Sequence, residues 1–332
     1  MKNYWYVAAY SKDLKEKPLA CKILDEPIVL FRNKEGKASA LVNRCPHRNV
    51  FLSKGRVISG NIQCPYHGWE YNSEGKCVFI PSLCEGEKIP GSAVAQNYQV
   101  IEQQNLIWVW LGDREPTENE KPFEIPNYNY DSWGYTWLKP TIIKNSVNNL
   151  IENFIDCSHT GYIHGGLFRT PASHLASTFI KRVNTGVVID IDEETNNKDS
   201  VFAKILLGKD SKVAHQDQFI LPSIVRVGYS IGEKRHIIGY QICTPVEDFV
   251  SNVFVCVTWK LGWLTTFIKP MVNKIGLKVL EQDIWILEDQ AAIIKKYGEH
   301  FVSAPADTAN NWIKATRQNA RQGTNPPGEK ER

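Results

Sequence analysis

Short apolar runs separated by turn-forming residues dominate the first third of the chain. They include PIVLFR (27–32), ASALVN (38–43) and LIWVWLG (106–112), and Gly, Pro and Asn lie between them. Runs of this length that are rich in Val, Ile and aromatic residues are typical of β-strands. The pattern therefore predicts a small all-β domain over residues 1–115.

A polar, proline-rich stretch over residues 116–134 follows this domain. Pro, Asn, Asp and Glu cluster there without apolar periodicity, which is typical of a connector. The pattern beyond it predicts a second domain over residues 135–318. The last residues, 319–332, are polar and contain a pair of prolines, which indicates a frayed tail.

Strand and helix patterns alternate within the second domain. A strand-like run, YTWLKPTII (135–143), leads into a helical pattern over SVNNLIENFIDCSH (146–159). Hairpin-like strands occupy residues 178–260, and VNTGV (183–187) lies between two β-branched runs as a candidate hairpin turn. A long helical pattern covers roughly residues 276–297.

Composition is that of a globular protein and narrows the choice of function. Of the 332 residues, 42% are hydrophobic and 23% are charged, and the formal net charge is only +3. No run of Lys and Arg alternates with aromatic residues, so nucleic-acid binding is not indicated. The N-terminus lacks the pattern of a signal peptide. The most apolar segment, 253–268, is too short for a membrane span and contains Lys260. We therefore expect a cytoplasmic protein with no membrane span.

Two of the eight cysteines stand in an unusual context. Cys45 and Cys64 are each followed by proline and then, at once or after one residue, by histidine, in CPH and CPYH. Disulfides are not expected in a cytosolic protein of this size. Cys243 and Cys256 lie in apolar runs, where a free cysteine behaves as a small hydrophobic residue.

The motif Cys45-x-His47 is followed, after sixteen residues, by Cys64-x-x-His67. Two thiolates and two imidazoles suit either tetrahedral zinc or a Rieske [2Fe–2S] cluster. Zinc fingers usually pair cysteine with cysteine and histidine with histidine, whereas each arm here is mixed. A mixed arm can give its cysteine to one iron and its histidine to the other. Two alternatives to the cluster remain: a zinc site, or four residues that share no common site.

The sequence CPHR…CPYHGW resembles the Rieske motif of the ring-hydroxylating oxygenase family. The resemblance implies that Cys45 and Cys64 bind the buried iron of the cluster, and that His47 and His67 bind the more exposed one. A Rieske ferredoxin needs only about a hundred residues, so the other two hundred require a second role.

A second candidate site lies in NLIENFIDCSHTGYIHGG (149–166), which contains Asp156, His159 and His164. Asp156 and His159 are three residues apart, so a helix would place them on one face. Gly161 could end that helix and let the chain bring His164 back. The alternative is an ordinary solvated polar helix face with an unrelated histidine.

The long C-terminal helical pattern offers one carboxylate in an unusual place. At 100° per residue, Asp283 lies within the apolar stripe formed by Val279, Leu280, Ile286, Leu287 and Ile294. A buried carboxylate is costly unless it is paired or bound to a metal. A buried arginine partner is the alternative to a metal.

The segments D-x2-H-x4-H and EQDIWILEDQ also resemble the mononuclear-iron motifs of the same family. The resemblance implies that His159, His164 and Asp283 form a 2-His-1-carboxylate site for Fe(II), with O2 as co-substrate. It implies an α+β protein: an N-terminal all-β Rieske [2Fe–2S] domain, then a catalytic domain with an antiparallel β-sheet flanked by helices. Length and motifs are similar to the single-subunit branch, which includes vanillate and dicamba demethylases.

The resemblance also implies partners and a path for electrons. An external reductase of the flavin or ferredoxin type supplies electrons, and the chain forms a homotrimer. Electrons pass from His67 of one subunit through Asp156 of its neighbour to His159. Some relatives carry Asn where this chain has Glu152, to which the sequence assigns no role.

The substrate is expected to be a small or medium-sized organic molecule, aromatic or polycyclic, that is hydroxylated or oxidatively demethylated. Arg169 or Arg226 could anchor a carboxylate, or form ordinary salt bridges. Two other functions stay open, namely a Rieske electron carrier without oxygenase activity and a zinc-dependent hydrolase. Candidate cavity residues, which are equally ordinary core residues, are Phe168, Phe219, Ile224, Val225 and Trp259.

Overall fold

The computed structural model describes residues 1–165, 178–192, 213–232 and 234–323. The chain divides into two compact units, Met1–Glu124 and Ile125–Arg332. Phe168 and Arg169 lie outside the described residues.

The first unit is built from short antiparallel strands, as the pattern predicted. Three sheets have the strand orders β1-β11-β10, β2-β3-β4-β9 and β5-β6-β7-β8. The strands are β1 (Tyr4–Tyr10), β2 (Leu19–Ile23), β3 (Glu26–Arg32), β4 (Ala38–Val42), β5 (Arg56–Ile58), β6 (Asn61–Gln63), β7 (Glu70–Tyr71), β8 (Cys77–Phe79), β9 (Asn97–Tyr98), β10 (Val100–Gln103) and β11 (Leu106–Leu111). Short 3-10 turns lie at Ser11–Asp13 and Leu52–Lys54.

Buried faces of these sheets form two apolar clusters. In β3, Ile28 and Leu30 enter one cluster, while Val29 and Phe31 enter the other, as expected for side chains that alternate across a strand. The second cluster includes Cys45 and Cys64, so the core of the unit directly supports both candidate ligand loops.

Residues 116–124, the first part of the predicted connector, pack on the first unit. The carbonyl of Glu120 accepts a hydrogen bond from Trp5 Nε1 at 2.7 Å, and the carbonyl of Phe123 accepts one from Gln103 Nε2 at 3.0 Å. The carboxylate of Glu120 also pairs with Arg114. These contacts extend the first unit to Glu124.

One antiparallel sheet forms the centre of the second unit. Its order is β12-β19-β18-β17-β16-β15-β14, and β13 also pairs with β19. The strands are β12 (Gly134–Trp137), β13 (Thr141–Ile143), β14 (Thr178–Val183), β15 (Gly186–Asp192), β16 (Val213–Ile220), β17 (Ile224–Ile231), β18 (Arg235–Glu247) and β19 (Val250–Lys260). The predicted hairpin is confirmed, because β14 pairs with β15 across a turn at Asn184 and Thr185.

Helices pack against this sheet. They are α1 (Val147–Ile155), α2 (Thr160–Ile163), α3 (Lys269–Tyr297) and α4 (Thr308–Arg321), with 3-10 turns at Gly262–Thr266 and Pro305–Asp307. The predicted start of the long helix near residue 276 is wrong, because α3 begins at Lys269. Pro270 lies in its first turn, where the missing N–H has no helical partner to lose.

The inner face of α3 carries the apolar stripe expected from the sequence. Leu280, Leu287, Ala291 and Ile294 are buried, and Asp283 lies among them. Cys243 and Cys256 are buried in the sheet as predicted, and burial raises the pKa of the Cys243 thiol to about 12. Within the described part of the chain, no helix combines the length and apolarity needed to cross a bilayer.

Candidate metal centres and the adjoining cavity

Two turns of similar construction carry the cysteine–histidine motifs of the first unit. Cys45 follows β4, and its N–H donates to the carbonyl of Val50 at 2.9 Å. Cys64 follows β6, and its N–H donates to the carbonyl of Trp69 at 2.8 Å. Gly68 has a φ of +71°, and a Cβ there would lie 2.9 Å from Pro81 Cγ. Glycine therefore allows the second turn to close tightly.

The thiols of the two turns face inward and the imidazoles face outward. Cys45 and Cys64 are 1% and 2% exposed, whereas His47 is half-buried and His67 is exposed. The ring centroids of His47 and His67 are 4.6 Å apart. His47 also stacks on Trp69 with 4.3 Å between centroids. The structure thus brings the four predicted cluster ligands together at the surface of the first unit.

The donor set fits a [2Fe–2S] cluster. Nδ1 of His47 is buried and lacks a hydrogen-bond partner among the described residues, which suits a ligand atom. Burial raises the pKa of the Cys64 thiol, so the positive charge of a metal would be needed to hold a thiolate there. Cys45 Sγ lies 3.3 Å from the hydroxyl of Tyr71, the kind of hydrogen bond that tunes a cluster's potential.

The segment after α1 is not one continuous helix, and this part of the sequence prediction is wrong. Helix α1 ends at Ile155, and Asp156 has extended dihedral angles, φ −79° and ψ 115°. Its Oδ1 accepts a hydrogen bond from the N–H of Ser158 at 2.8 Å, and such a local bond competes with helix formation. Gly161 does not end a helix but lies inside α2.

The break allows α2 to hold both histidines. His159 precedes its first residue and His164 follows its last. Their Nε2 atoms are 3.3 Å apart. Asp283 Oδ1, from α3, lies 3.4 Å from His159 Nε2 and 3.1 Å from His164 Nε2. The three predicted ligands of the second site therefore converge.

This arrangement fits a metal ion better than a set of hydrogen bonds. Metal–ligand bonds of about 2.1 Å at right angles place neighbouring ligand atoms about 3 Å apart. Asp283 is 4% exposed, yet its Oδ1 has no hydrogen bond with acceptable geometry in the described structure. No arginine was found beside it among the described residues, so the alternative of a buried arginine partner is not supported.

A hydrogen bond orients His164, whereas Asp156 approaches His159 without bonding to it. His164 Nδ1 lies 3.0 Å from Gln282 Oε1, so the ring donates from Nδ1, while its Nε2 faces His159 and Asp283, where a metal would bind. Asp156 Oδ2 lies 3.8 Å from His159 Nδ1. Burial disfavours the imidazolium of His159, but the carboxylates of Asp156 and Asp283 outweigh burial and raise its pKa to about 9.

A cavity of about 190 Å³ adjoins the three ligands within the second unit. One wall is the face of β16 to β19, and the opposite wall is the first half of α3. The side chains are mostly apolar and include Leu138, Phe154, Val227, Ile237, Val255, Val257, Ile268, Met271, Val272, Ile275, Val279 and Leu280.

The predicted cavity residues that the structure describes do not line it. Phe219, Val225 and Trp259 share the sheet face with the cavity wall but lie beyond its ends. Phe219 and Val225 pack against α1, and the indole of Trp259 donates to the carbonyl of Thr265. Ile224 is also buried outside the cavity. These positions are core, which the sequence had left open. Arg226 does not line the cavity and donates to Gln216.

Sequence reasoning missed a polar cluster in the cavity wall. Asp217 accepts hydrogen bonds from His215 Nε2 at 2.8 Å and Cys157 Sγ at 3.1 Å. The signal was available, because His215 and Asp217 alternate within one strand and so share a face. Cys157 comes from the break after α1, which the sequence did not predict.

Glu152 points away from the cavity and pairs with Lys314 of α4 at 3.6 Å. Burial raises the pKa of Glu152, and Lys314 opposes that effect. This ion pair joins α1 to α4, so Glu152 takes part in a contact between the two helices.

Known protein families match both units of the chain. The Rieske [2Fe-2S] domain family matches residues 4–99, and the family described as the vanillate O-demethylase oxygenase C-terminal domain matches residues 143–321. The chain is 36% identical to the oxygenase component of dicamba O-demethylase from Stenotrophomonas maltophilia, over 52% of this chain and 50% of that protein. It is 29% identical to the chloroplastic protein TIC 55 from Pisum sativum, over 88% of this chain and 52% of that protein. The chain thus spans about half the length of these curated relatives.

Solved structures share the fold over nearly the whole chain. Dicamba monooxygenase bound to 3,6-dichlorosalicylic acid matches with a TM-score of 0.79 and 24% identity, covering 97% of both chains. Pseudomonas putida NdmA with theobromine matches with a TM-score of 0.78 and 20% identity, covering 96% of this chain and 92% of the other. These matches confirm the predicted fold class, an all-β Rieske domain followed by an antiparallel sheet with helices.

Proposed function

Because the chain belongs to the vanillate O-demethylase oxygenase family and carries a Rieske domain, we propose that it is the oxygenase component of a Rieske oxygenase system. It uses O2 and electrons from an NAD(P)H-dependent reductase to hydroxylate or oxidatively demethylate an organic substrate. An aromatic substrate agrees with the volume and the apolar walls of the cavity.

The observation that carries this proposal is the presence of two complete donor sets with a cavity beside the second. An electron carrier would use Cys45, His47, Cys64 and His67, but it would have no use for His159, His164 and Asp283. A zinc hydrolase would not need the mixed cysteine–histidine turns. Only an oxygenase uses both sites and the cavity together.

Each group of residues has a distinct part in the proposed reaction. The four ligands of the first unit would hold the cluster, and the three of the second unit would hold Fe(II). Bound there, the two centres would supply the electrons and the O2 activation that the reaction requires. The apolar walls would exclude water and hold a substrate beside the iron ligands without binding it to them.

Asp156 is the candidate bridge for electron transfer between subunits. Its side chain is 35% exposed, and its Oδ2 lies 3.8 Å from His159 Nδ1. The imidazole of His67 is exposed in the first unit. A homotrimer in which His67 of one subunit meets Asp156 of its neighbour would give Asp156 a hydrogen bond to both imidazoles. A flavin- or ferredoxin-type reductase as donor and a cytoplasmic location remain predictions from the sequence.

The variant Asp156→Asn tests this proposal with a surrogate NADH-dependent reductase. We expect the variant to keep its iron and sulfide, because Asp156 is not a predicted ligand, while reductase-dependent O2 uptake falls about 10- to 100-fold. Glu152→Gln is the control, since Glu152 lies one helical turn away and pairs with Lys314. Full O2 uptake by Asp156→Asn would contradict the bridge. No reductase-dependent uptake by the metal-loaded wild-type protein would contradict the oxygenase.

A further inference from the structure

The cavity beside the iron ligands carries a built polar group that the proposed reaction does not use. Asp217 and His215 are 1% and 3% exposed, and both line the cavity. Cys157 lines it as well and donates to the second carboxylate oxygen of Asp217. A buried carboxylate fixed on both oxygens in this way has a defined position and orientation.

Asp217 keeps the capacity to accept further hydrogen bonds. Each of its oxygens accepts one described bond, from His215 or from Cys157, and a carboxylate oxygen can accept two. Gln241 supplies a second acceptor on the same wall. Its Oε1 is buried and has no hydrogen-bond partner in the described structure, which is unusual unless a ligand completes it.

The sheet register places these two acceptors on one wall of the cavity. Asp217 pairs with Val227, Val227 with Gly239, and Gly239 with Val257, so the four residues form one row across the wall. A Cβ at Gly239 would lie 3.2 Å from Gln241 Nε2 and 4.0 Å from Val227 O. The Gln241 amide therefore lies over Gly239, next to the row that begins at Asp217.

The charges facing the cavity oppose an anionic ligand. None of the described residues that line the cavity is Lys or Arg. Asp217 has one imidazole, that of His215, and Asp156 and Asp283 also border the cavity. An anion placed beside Asp217 would face a buried carboxylate with no Lys or Arg on the described part of the cavity wall, whereas an N–H or O–H group would meet an acceptor.

We propose that Asp217, held by His215 and Cys157, forms with Gln241 the polar subsite of the substrate cavity. This subsite selects a neutral or cationic ring compound that presents an N–H or O–H donor and rejects the corresponding anion. The inference rests on the proposed function, because it concerns the molecule that would lie beside the iron. It narrows the substrate class to amines, amides, alcohols or ring N–H compounds.

Titration calorimetry on the anaerobic, metal-loaded protein tests the selectivity with three matched probes. They are 4-methoxybenzyl alcohol, 4-methoxybenzylamine and 4-methoxybenzoate, which share a ring and a methyl ether but differ in charge. We expect the wild-type protein to bind the alcohol and the amine at least about tenfold more tightly than the benzoate.

Asp217→Asn removes the charge and keeps the size of the side chain. We expect this variant to reduce the preference for the amine over the benzoate to about threefold or less. Asp190→Asn is the matched control, because Asp190 lies on β15, accepts from Gln216 Nε2 and does not line the cavity. Gly239→Leu adds a side chain where the Gln241 amide lies and leaves Asp217 in place, and it should weaken binding of the alcohol and the amine at least about tenfold.

Three results would overturn the inference. They are benzoate binding as tight as that of the alcohol, an unchanged preference in Asp217→Asn that retains its iron, and no binding of the alcohol or the amine. The calorimetry needs no turnover, so the result is independent of the O2-uptake assay. A protein that shows the predicted selectivity but no reductase-dependent O2 uptake would contradict the oxygenase and leave the subsite standing.

Discussion

The buried carboxylate of Asp283 is stable only with positive charge beside it. Burial alone would raise its pKa, but its contacts with His159 and His164 outweigh burial and lower it. Without a metal, the raised pKa of His159 indicates that a proton takes the place of the cation. A metal bound at this predicted site would therefore have to displace that proton.

Gln282 determines which nitrogen of His164 is available to a metal. Its Oε1 accepts from Nδ1, so Gln282→Ala would leave the ring without its orienting bond. We expect the variant to lose affinity for the mononuclear iron about 10- to 100-fold. Iron retained after dialysis against a chelator measures this loss. Glu281→Ala is the control, since Glu281 is the preceding, exposed residue of α3. Equal iron retention by both variants would show that Gln282 has no part in positioning His164.

The structure brings together the residues that the sequence predicts as ligands of each site. The spacing of Cys45, His47, Cys64 and His67 was informative because each cysteine and its histidine lie in one short turn, only two or three positions apart. Asp283 was identifiable because a charged residue in an apolar helical stripe needs a partner. Gln282 and Gln241 could not be identified, because their roles depend on which strand or helix face meets the ligands in three dimensions.

Among the elements of the second unit, helix α1 is held in position by a contact with helix α4. Arg317 of α4 is 5% exposed, donates from Nε to Asn148 Oδ1 at 3.0 Å, and donates from Nη1 to the carbonyl of Pro222. It thus joins α4 to α1 and to the turn between β16 and β17. Helix α1 ends immediately before Asp156, so this contact supports the segment that carries the predicted iron ligands His159 and His164.

Arg317→Met should destabilise the second unit, because the substitution leaves Asn148 and a buried carbonyl without their donor. We expect a loss of about 2 to 4 kcal/mol in the free energy of unfolding, measured by urea denaturation. Lys314→Met on the same helix is the control. Lys314 is 37% exposed and its pair with Glu152 spans 3.6 Å, so we expect a loss below about 1 kcal/mol. Similar losses for the two variants would contradict the role given to Arg317.

The hairpins were predictable because turn residues and the alternation of apolar and polar side chains are visible within a few consecutive residues. Two helix boundaries were not. Helix α3 begins at Lys269 and not near residue 276, because Pro270 lies in its first turn, where proline is tolerated. The helix ending at Ile155 was extended too far because its periodicity continues past Asp156. The side chain of Asp156 bonds to the backbone instead, and apolar periodicity contains no information on that choice.

Over the whole molecule, the two units have separate cores and separate stabilising contacts. In the first unit, Arg32 forms a two-pronged pair with Glu102 at 2.6 and 3.0 Å and also donates to the carbonyl of Ser11. Arg32 lowers the pKa of Glu102 below its ordinary value of 4.5, although burial opposes the effect. The pair therefore stabilises the first unit fully above pH 4.5 and is lost as the pH falls through the lowered pKa.

Glu102→Gln should remove this pH-dependent contribution. Because Glu102 is 32% exposed, solvent screens the pair, and we expect a loss of about 0.5 to 1 kcal/mol at pH 7 that shrinks below pH 4.5. Thermal unfolding of the metal-loaded protein between pH 3 and pH 7 measures the difference from the wild type. Glu85→Gln, at an exposed position, is the control. A difference that stays constant across this range would contradict the role of the ionised pair.

The central claim is that one chain holds both a Rieske cluster and a mononuclear iron. EPR spectroscopy of the anaerobically purified, dithionite-reduced protein, with iron and sulfide analysis of the same sample, tests it most directly. We predict a rhombic Rieske signal, about three iron and two acid-labile sulfide per chain, and one ferrous iron that reacts with nitric oxide. In Asp283→Ala the iron should fall to about two with the Rieske signal unchanged, whereas the exposed Asp289→Ala should match the wild type. Two iron and two sulfide in the iron-reconstituted wild-type protein, or no Rieske signal, would contradict the account.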